Sequence, residues 1–161
     1  GGAAHAAQNQ ELRISSMAAD ISTLDPHRAT STSDKAVVGQ IFNGLVRFPP
    51  GSADPSELEA DLAESWGVSD DNTVWTFTLR KGVQFHHGYG ELTAEDVVFS
   101  LQRAADPDRS SFSTGFSGVK SIEALDDYTV EITLEYPDVN FLGLVSDYHG
   151  GNIVSKKAVE N

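Results

Sequence analysis

Residues 62–103 read LAESWGVSDDNTVWTFTLRKGVQFHHGYGELTAEDVVFSLQR, and this run decides the fold. A short apolar-spaced segment around Trp66 and Val68 breaks at Ser69-Asp70-Asp71-Asn72 and resumes as Val74-Trp75-Thr76-Phe77-Thr78-Leu79. Asp and Asn favour such a break because their side chains bond nearby backbone and tolerate tight turns. Trp75, Phe77 and Leu79 alternate with Val74, Thr76 and Thr78, so the large apolar groups share one face of a strand. The pattern predicts a β-hairpin with one buried side.

A loop at His86-His87-Gly88-Tyr89-Gly90 follows, and Thr93 then stands three residues before Asp96, the spacing of a capping box. Ala94, Val97, Val98, Leu101 and Ala105 make an apolar stripe at helical spacing. The helix should end before Asp106-Pro107, because proline lacks a donor and restricts the residue before it.

Working outward, residues 12–17 (LRISSM) read as a strand, and a polar loop over residues 20–33 leads to Asp34 as the expected N-cap of a helix burying Val37, Val38, Ile41 and Phe42. Asn43-Gly44 are residue types that accept a left-handed turn at its end. Residues 45–48 suit a short strand, and Pro49-Pro50-Gly51-Ser52 marks a break. Downstream, a second hairpin turns at Asp126-Asp127, with Tyr128, Val130, Ile132 and Leu134 on its apolar face. Beyond Pro137, Asp138 or Asn140 is expected to cap a short apolar helix through Phe141, Leu142, Leu144 and Val145, stopped by Gly150-Gly151. Asn152-Ile153-Val154 reads as another strand, and Ser155 as the N-cap of a last helix that reaches Asn161 within two turns.

Composition bounds the chemistry. The chain has 161 residues, 39% hydrophobic and 22% charged, enough for one domain with a core of its own. A net charge of −13 argues against nucleic acid and anionic lipid as partners, since both would repel it. Without cysteine there are no disulfides, thiolate chemistry or cysteine-based zinc sites. No apolar run is long enough to cross a bilayer as a helix. Residues 1–10 (GGAAHAAQNQ) lack the starting Met, basic region and apolar core of an intact signal peptide. They are expected to be disordered, and Ala4-His5-Ala6 has the small-x-small form left around a cleavage site.

Apparent catalytic motifs have simpler explanations. Gly88-Tyr89-Gly90 followed by Thr93 misses the third glycine of a dinucleotide fingerprint and lies among antiparallel hairpins rather than a βαβ unit. Gly115-Phe116-Ser117-Gly118 falls one residue short of a nucleophile elbow and lacks its strand-then-helix context. His27, His86, His87 and His149 could supply imidazole ligands, but neighbouring side chains such as His86 and His87 point to opposite sides of an extended backbone, so no metal site is expected. Glu95-Asp96 and Asp126-Asp127 are explained by a first helical turn and a hairpin turn.

The run 62–103, with Thr23-Leu24-Asp25-Pro26-His27 and Gln40-Ile41-Phe42-Asn43-Gly44-Leu45-Val46 before it and VKSIEALDDYTVEITL (119–134) after it, resembles the bacterial extracellular solute-binding proteins of family 5, receptors for oligopeptides, dipeptides and nickel in ATP-driven importers. His87, where the family usually has Asp, and a slightly longer loop to Leu92 are departures from its pattern.

The resemblance implies an α+β fold with an antiparallel or mixed sheet and packed helices, part of lobe I of a type II, peptide-binding-class periplasmic receptor. Residues 1–10 would be a tail, 11–48 the opening strand and helix of the main lobe, 49–150 a small inserted hairpin-and-helix subdomain, and 151–161 a truncated return. Family members are several times longer, so the resemblance implies a fragment.

It further implies a non-catalytic, cofactor-free, periplasmic and monomeric receptor that hands a small peptide-like solute to an inner-membrane ABC permease. The ligand-facing positions it implies are Thr30, Ser31 and Thr32, then Arg109 and Phe112 with Ser113 one step further, and finally Tyr148 and His149. Hydroxyls can bind a ligand's amides, an aromatic can cover it, and arginine can pair with its carboxylate. A sensor or chaperone module on the same fold would share these features. A hydrolase would need two titratable groups brought together by tertiary structure, which no spacing here provides.

Overall fold

The computed structural model describes residues 20–148 and 150–161. The expected tail over 1–10, the opening strand over 12–17 and His149 lie outside the described residues.

The central element is a four-stranded antiparallel sheet in the order β3-β4-β6-β5, formed by β3 (Ala63–Val68), β4 (Val74–Leu79), β5 (Val119–Asp126) and β6 (Thr129–Leu134). Both expected hairpins are present. In the first turn, Ser69 N–H donates to the Val74 carbonyl at 2.9 Å, and Asn72 adopts a left-handed φ of 58°. In the second, Tyr128 N–H donates to the Asp126 carboxylate at 2.8 Å.

Register places Phe77 opposite Val130 and Trp75 opposite Ile132, so the alternating apolar residues of both hairpins fall on one sheet face. Helix α2 (Ala94–Ala105) covers that face with Ala94, Val97, Leu101 and Ala104, and Phe141 packs against Trp75 and Phe77. Its N-terminus carries the expected capping box, with Thr93 N–H donating to Asp96 at 3.1 Å, and the helix ends before Asp106-Pro107.

Before the sheet come α1 (Thr32–Val38), β1 (Val46–Arg47) and β2 (Glu59–Ala60), the two strands pairing antiparallel with Val46 opposite Ala60 and Arg47 opposite Glu59. After it come α3 (Phe141–Leu144) and α4 (Lys156–Glu160), the latter capped by Ser155 as expected.

Five local expectations need correction. Helix α1 starts at Ser31, whose hydroxyl accepts from Asp34 N–H at 3.1 Å, while the Asp34 carboxylate accepts from Ser22 N–H at 2.8 Å. It ends at Gly39, before Ile41 and Phe42. Gly44 makes no left-handed turn but a close approach, since a Cβ there would lie 2.6 Å from Asp147 N. Helix α3 stops at Leu144 rather than at Gly150-Gly151.

Finally, residues 151–155 are buried but form no strand: Ile153 N–H donates to the Asn43 carbonyl at 2.8 Å and Val154 N–H to the Ser100 hydroxyl at 2.9 Å. These separate partners replace a ladder, satisfying buried donors one at a time.

Candidate functional site

The segment carrying Thr30 is fixed from below by buried polar groups. Arg103, on the last turn of α2, holds the Asp25 carboxylate through two hydrogen bonds of 2.9 and 2.6 Å. It also donates to His27 Nδ1 at 2.6 Å. With Nδ1 accepting, the proton sits on Nε2, which donates to the Asn152 carbonyl at 2.9 Å. The His27 carbonyl accepts from Ser111 N–H at 2.9 Å. One fully buried imidazole thus joins the three stretches that carry Thr30, Phe112 and Asn152.

Electrostatics agree with a neutral His27. Burial of the ring pushes its pKa below the ordinary 6.5, opposed by the Asn152 carbonyl and aided by the Arg103 charge. Burial alone would raise Asp25, but its hydrogen bonds to Arg103 and the His27 backbone outweigh that and hold it below 3.8.

Above this base lies an open cleft of about 1070 Å³. Thr30, Thr32, Phe112 and Tyr148 are among the residues that line it, with Phe48 edge-on to Tyr148 at 6.3 Å between ring centroids. Phe112 is seated by Gly150, whose φ of +89° bars most side chains and where a Cβ would come within 2.7 Å of the Phe112 Cβ. Asp147 also borders the cleft, and its burial, with Asp61 nearby, raises its pKa above 3.8.

Of the residues expected to face a ligand, the structure therefore brings together Thr30, Thr32, Phe112 and Tyr148. Ser31, Arg109 and Ser113 are not among the residues that line the cleft. Ser31 is occupied as the cap of α1, the Arg109 guanidinium lies over the Phe99 ring at 5.4 Å, and Ser113 opens a 3-10 turn (Ser113–Phe116).

Sequence reasoning missed Lys35. Its ammonium stands 5.8 Å from the Phe112 ring centre and 5.4 Å from that of Tyr148. Nothing local in the sequence signals it, because both rings come from distant stretches of the chain.

A second, more apolar cavity of about 480 Å³ lies between Leu24, Phe42, Val83, Phe85 and Val159, and His86 and His87 border it. Among the described residues no group of three or more His, Asp or Glu converges in a way that could hold a metal, and no helix is long and apolar enough to cross a membrane.

Residues 57–160 match the model of the bacterial extracellular solute-binding proteins, family 5 Middle. The chain belongs to this family. Its place in that family makes it part of an exported, periplasmic solute-binding protein, and the relatives it matches are binding proteins rather than enzymes.

The chain is similar to heme-binding protein A of Haemophilus influenzae, 42% identical over 69% of this chain and 23% of that protein. It is also similar to di/tripeptide-binding protein 2 of Pseudomonas aeruginosa, 37% identical over 87% of this chain and 29% of that one. Among solved structures, the binding protein MoaA of A. tumefaciens R10 in complex with mannopinic acid superposes with a TM-score of 0.85 and 52% identity, covering 88% of this chain and 29% of MoaA. The α+β architecture with antiparallel sheets is thus that of one part of a periplasmic-binding-protein lobe. The chain spans less than a third of the length of each of these relatives.

Proposed function

We propose that this chain supplies one wall of the ligand cleft in a periplasmic receptor of its relatives' length, which captures a small peptide-like solute and delivers it to an inner-membrane ABC permease. In this reading Thr30, Thr32, Phe112 and Tyr148 touch the ligand, the hydroxyls bonding its amides and the rings covering its apolar parts. Ser31, Arg109 and Ser113 support that wall, and residues 49–150 act as a subdomain inserted into the main lobe. No cofactor and no catalytic step are involved.

The observation that carries the reading is the convergence of residues from three separately nominated stretches, Thr30 with Thr32, Phe112 and Tyr148, on one 1070 Å³ cleft, a volume suited to a small solute. A ligand held between this wall and a second lobe would favour the closed form by its differential affinity for that form. This is the coupling an importer needs to signal a loaded receptor.

Mass spectrometry of solute released from the purified full-length receptor, followed by calorimetry of Phe112→Ala and Tyr148→Ala, tests the proposal. Release of a short peptide or amino-acid conjugate, with both variants binding it at least about tenfold more weakly, is expected. Unchanged affinity in both variants would contradict it.

A further inference from the structure

Resting on the cleft reading above, we infer that Lys35 is the anion anchor of this site and selects solutes bearing a carboxylate next to an N–H donor. Lys35 is half-buried on α1, its backbone held by Ser31 and Gly39 hydrogen bonds of 3.0 and 2.9 Å, and its ammonium hangs between Phe112 and Tyr148. Among the described residues no carboxylate pairs with it.

Cation contacts with ring faces at a partly exposed site are weak. A ligand carboxylate entering between the rings would offer the ammonium a charge-assisted hydrogen bond, roughly twice as strong as a neutral one. The aromatic pair thus keeps the ammonium in the cleft and in reach of an anion.

Asn152 offers a second polar contact. Its side chain is 3% exposed, borders the cleft, and leaves Oδ1 without a hydrogen-bond partner. The amide cannot simply be reversed, because Nδ2 donates to the Asp147 carbonyl at 3.2 Å and reversal would set two oxygens against each other. A buried unpaired acceptor is destabilising, a cost that a ligand N–H would recover. One cation and one orphan acceptor among the residues lining one cleft suit an amino-acid-like headgroup better than a sugar or an apolar ring system.

The test uses the full-length receptor, with alanyl-alanine and mannopinic acid as acid probes and alanyl-alaninamide as the uncharged-terminus control, titrated by calorimetry. At least one acid should bind the unmutated receptor. Lys35→Met should weaken that acid about tenfold or more, leave the amide within about twofold, and Lys35→Arg should restore most of the loss. A Lys35→Met receptor that binds acid and amide as before, while Phe112→Ala weakens both, would overturn this inference and leave the cleft standing. If neither variant alters binding, the cleft reading falls with it. Failure of both acids to bind the unmutated receptor would overturn the assigned ligand class.

Discussion

Replacing Arg103 with Met should loosen the base of the cleft by a calculable amount. The change removes two hydrogen bonds to Asp25 and one to His27 while keeping the methylene stem against the helix. Breaking a fully buried pair costs about 3–5 kcal/mol because the surviving charge is stranded. Here the Asp25 side chain keeps 26% of its exposure and Arg103 12%, so solvent screening lowers the expected cost to about 2–3 kcal/mol.

For a chain of this size that corresponds to a fall in Tm of about 5–10 °C. Asp25 adds a pH signature. Its folded pKa lies below the unfolded 3.8, so its stabilising contribution is complete above that value and is lost as pH falls through the folded pKa. Thermal melts of both proteins by circular dichroism, repeated from pH 7 to pH 3, should show a gap that is wide at pH 7 and narrows below about 4. A gap below about 0.5 kcal/mol at pH 7, the scale of an ordinary surface substitution, would refute the reasoning. So would one that does not change with pH.

Three further outcomes are expected. Gly150→Ala forces a side chain onto φ +89° and into Phe112, so it should cost more than the roughly 1–2 kcal/mol of left-handed strain alone and weaken ligand binding in the full-length receptor, read by melting and calorimetry. Ser100→Ala strands the buried Val154 N–H and should lower stability by about 1–3 kcal/mol in urea unfolding, whereas Ser100→Thr should lose less if the methyl is accommodated. His27 has a folded pKa below 6.5, so the unfolded chain takes up its proton first and stability should decline as pH drops below that value. Urea midpoints at pH 7.5, 6 and 5 should show this slope flattened in His27→Gln, at about these pH values set by the imidazole.

What was legible in the sequence was local. Trp75, Phe77 and Leu79 face one way because a strand's period is two, whatever surrounds it, and Thr93 with Asp96 closes a cap within a single turn. Ser31 and Asp34 are both good cap residues, and the choice between them is made by Ser22, which occupies the Asp34 carboxylate from 12 positions away. Ile153 and Val154 have strand chemistry, yet their donors go to Asn43 and Ser100, partners that only the folded chain supplies.

The site divides in the same way. Positions that share a loop could be nominated from the family's pattern, and Thr30, Thr32, Phe112 and Tyr148 do meet at one cleft. His27 gave no local sign of its role, since its partner Arg103 lies 76 positions further along. Lys35 gave none either, because its two rings reach it through tertiary packing alone.

The most direct test of the account is a crystal structure of the full-length receptor with its co-purified solute. Solute is expected within about 4 Å of Phe112 and Tyr148, with an acidic group at the Lys35 ammonium. Solute bound instead in the apolar cavity beside Val83, Phe85 and Val159, with the Lys35 cleft open to solvent, would contradict it.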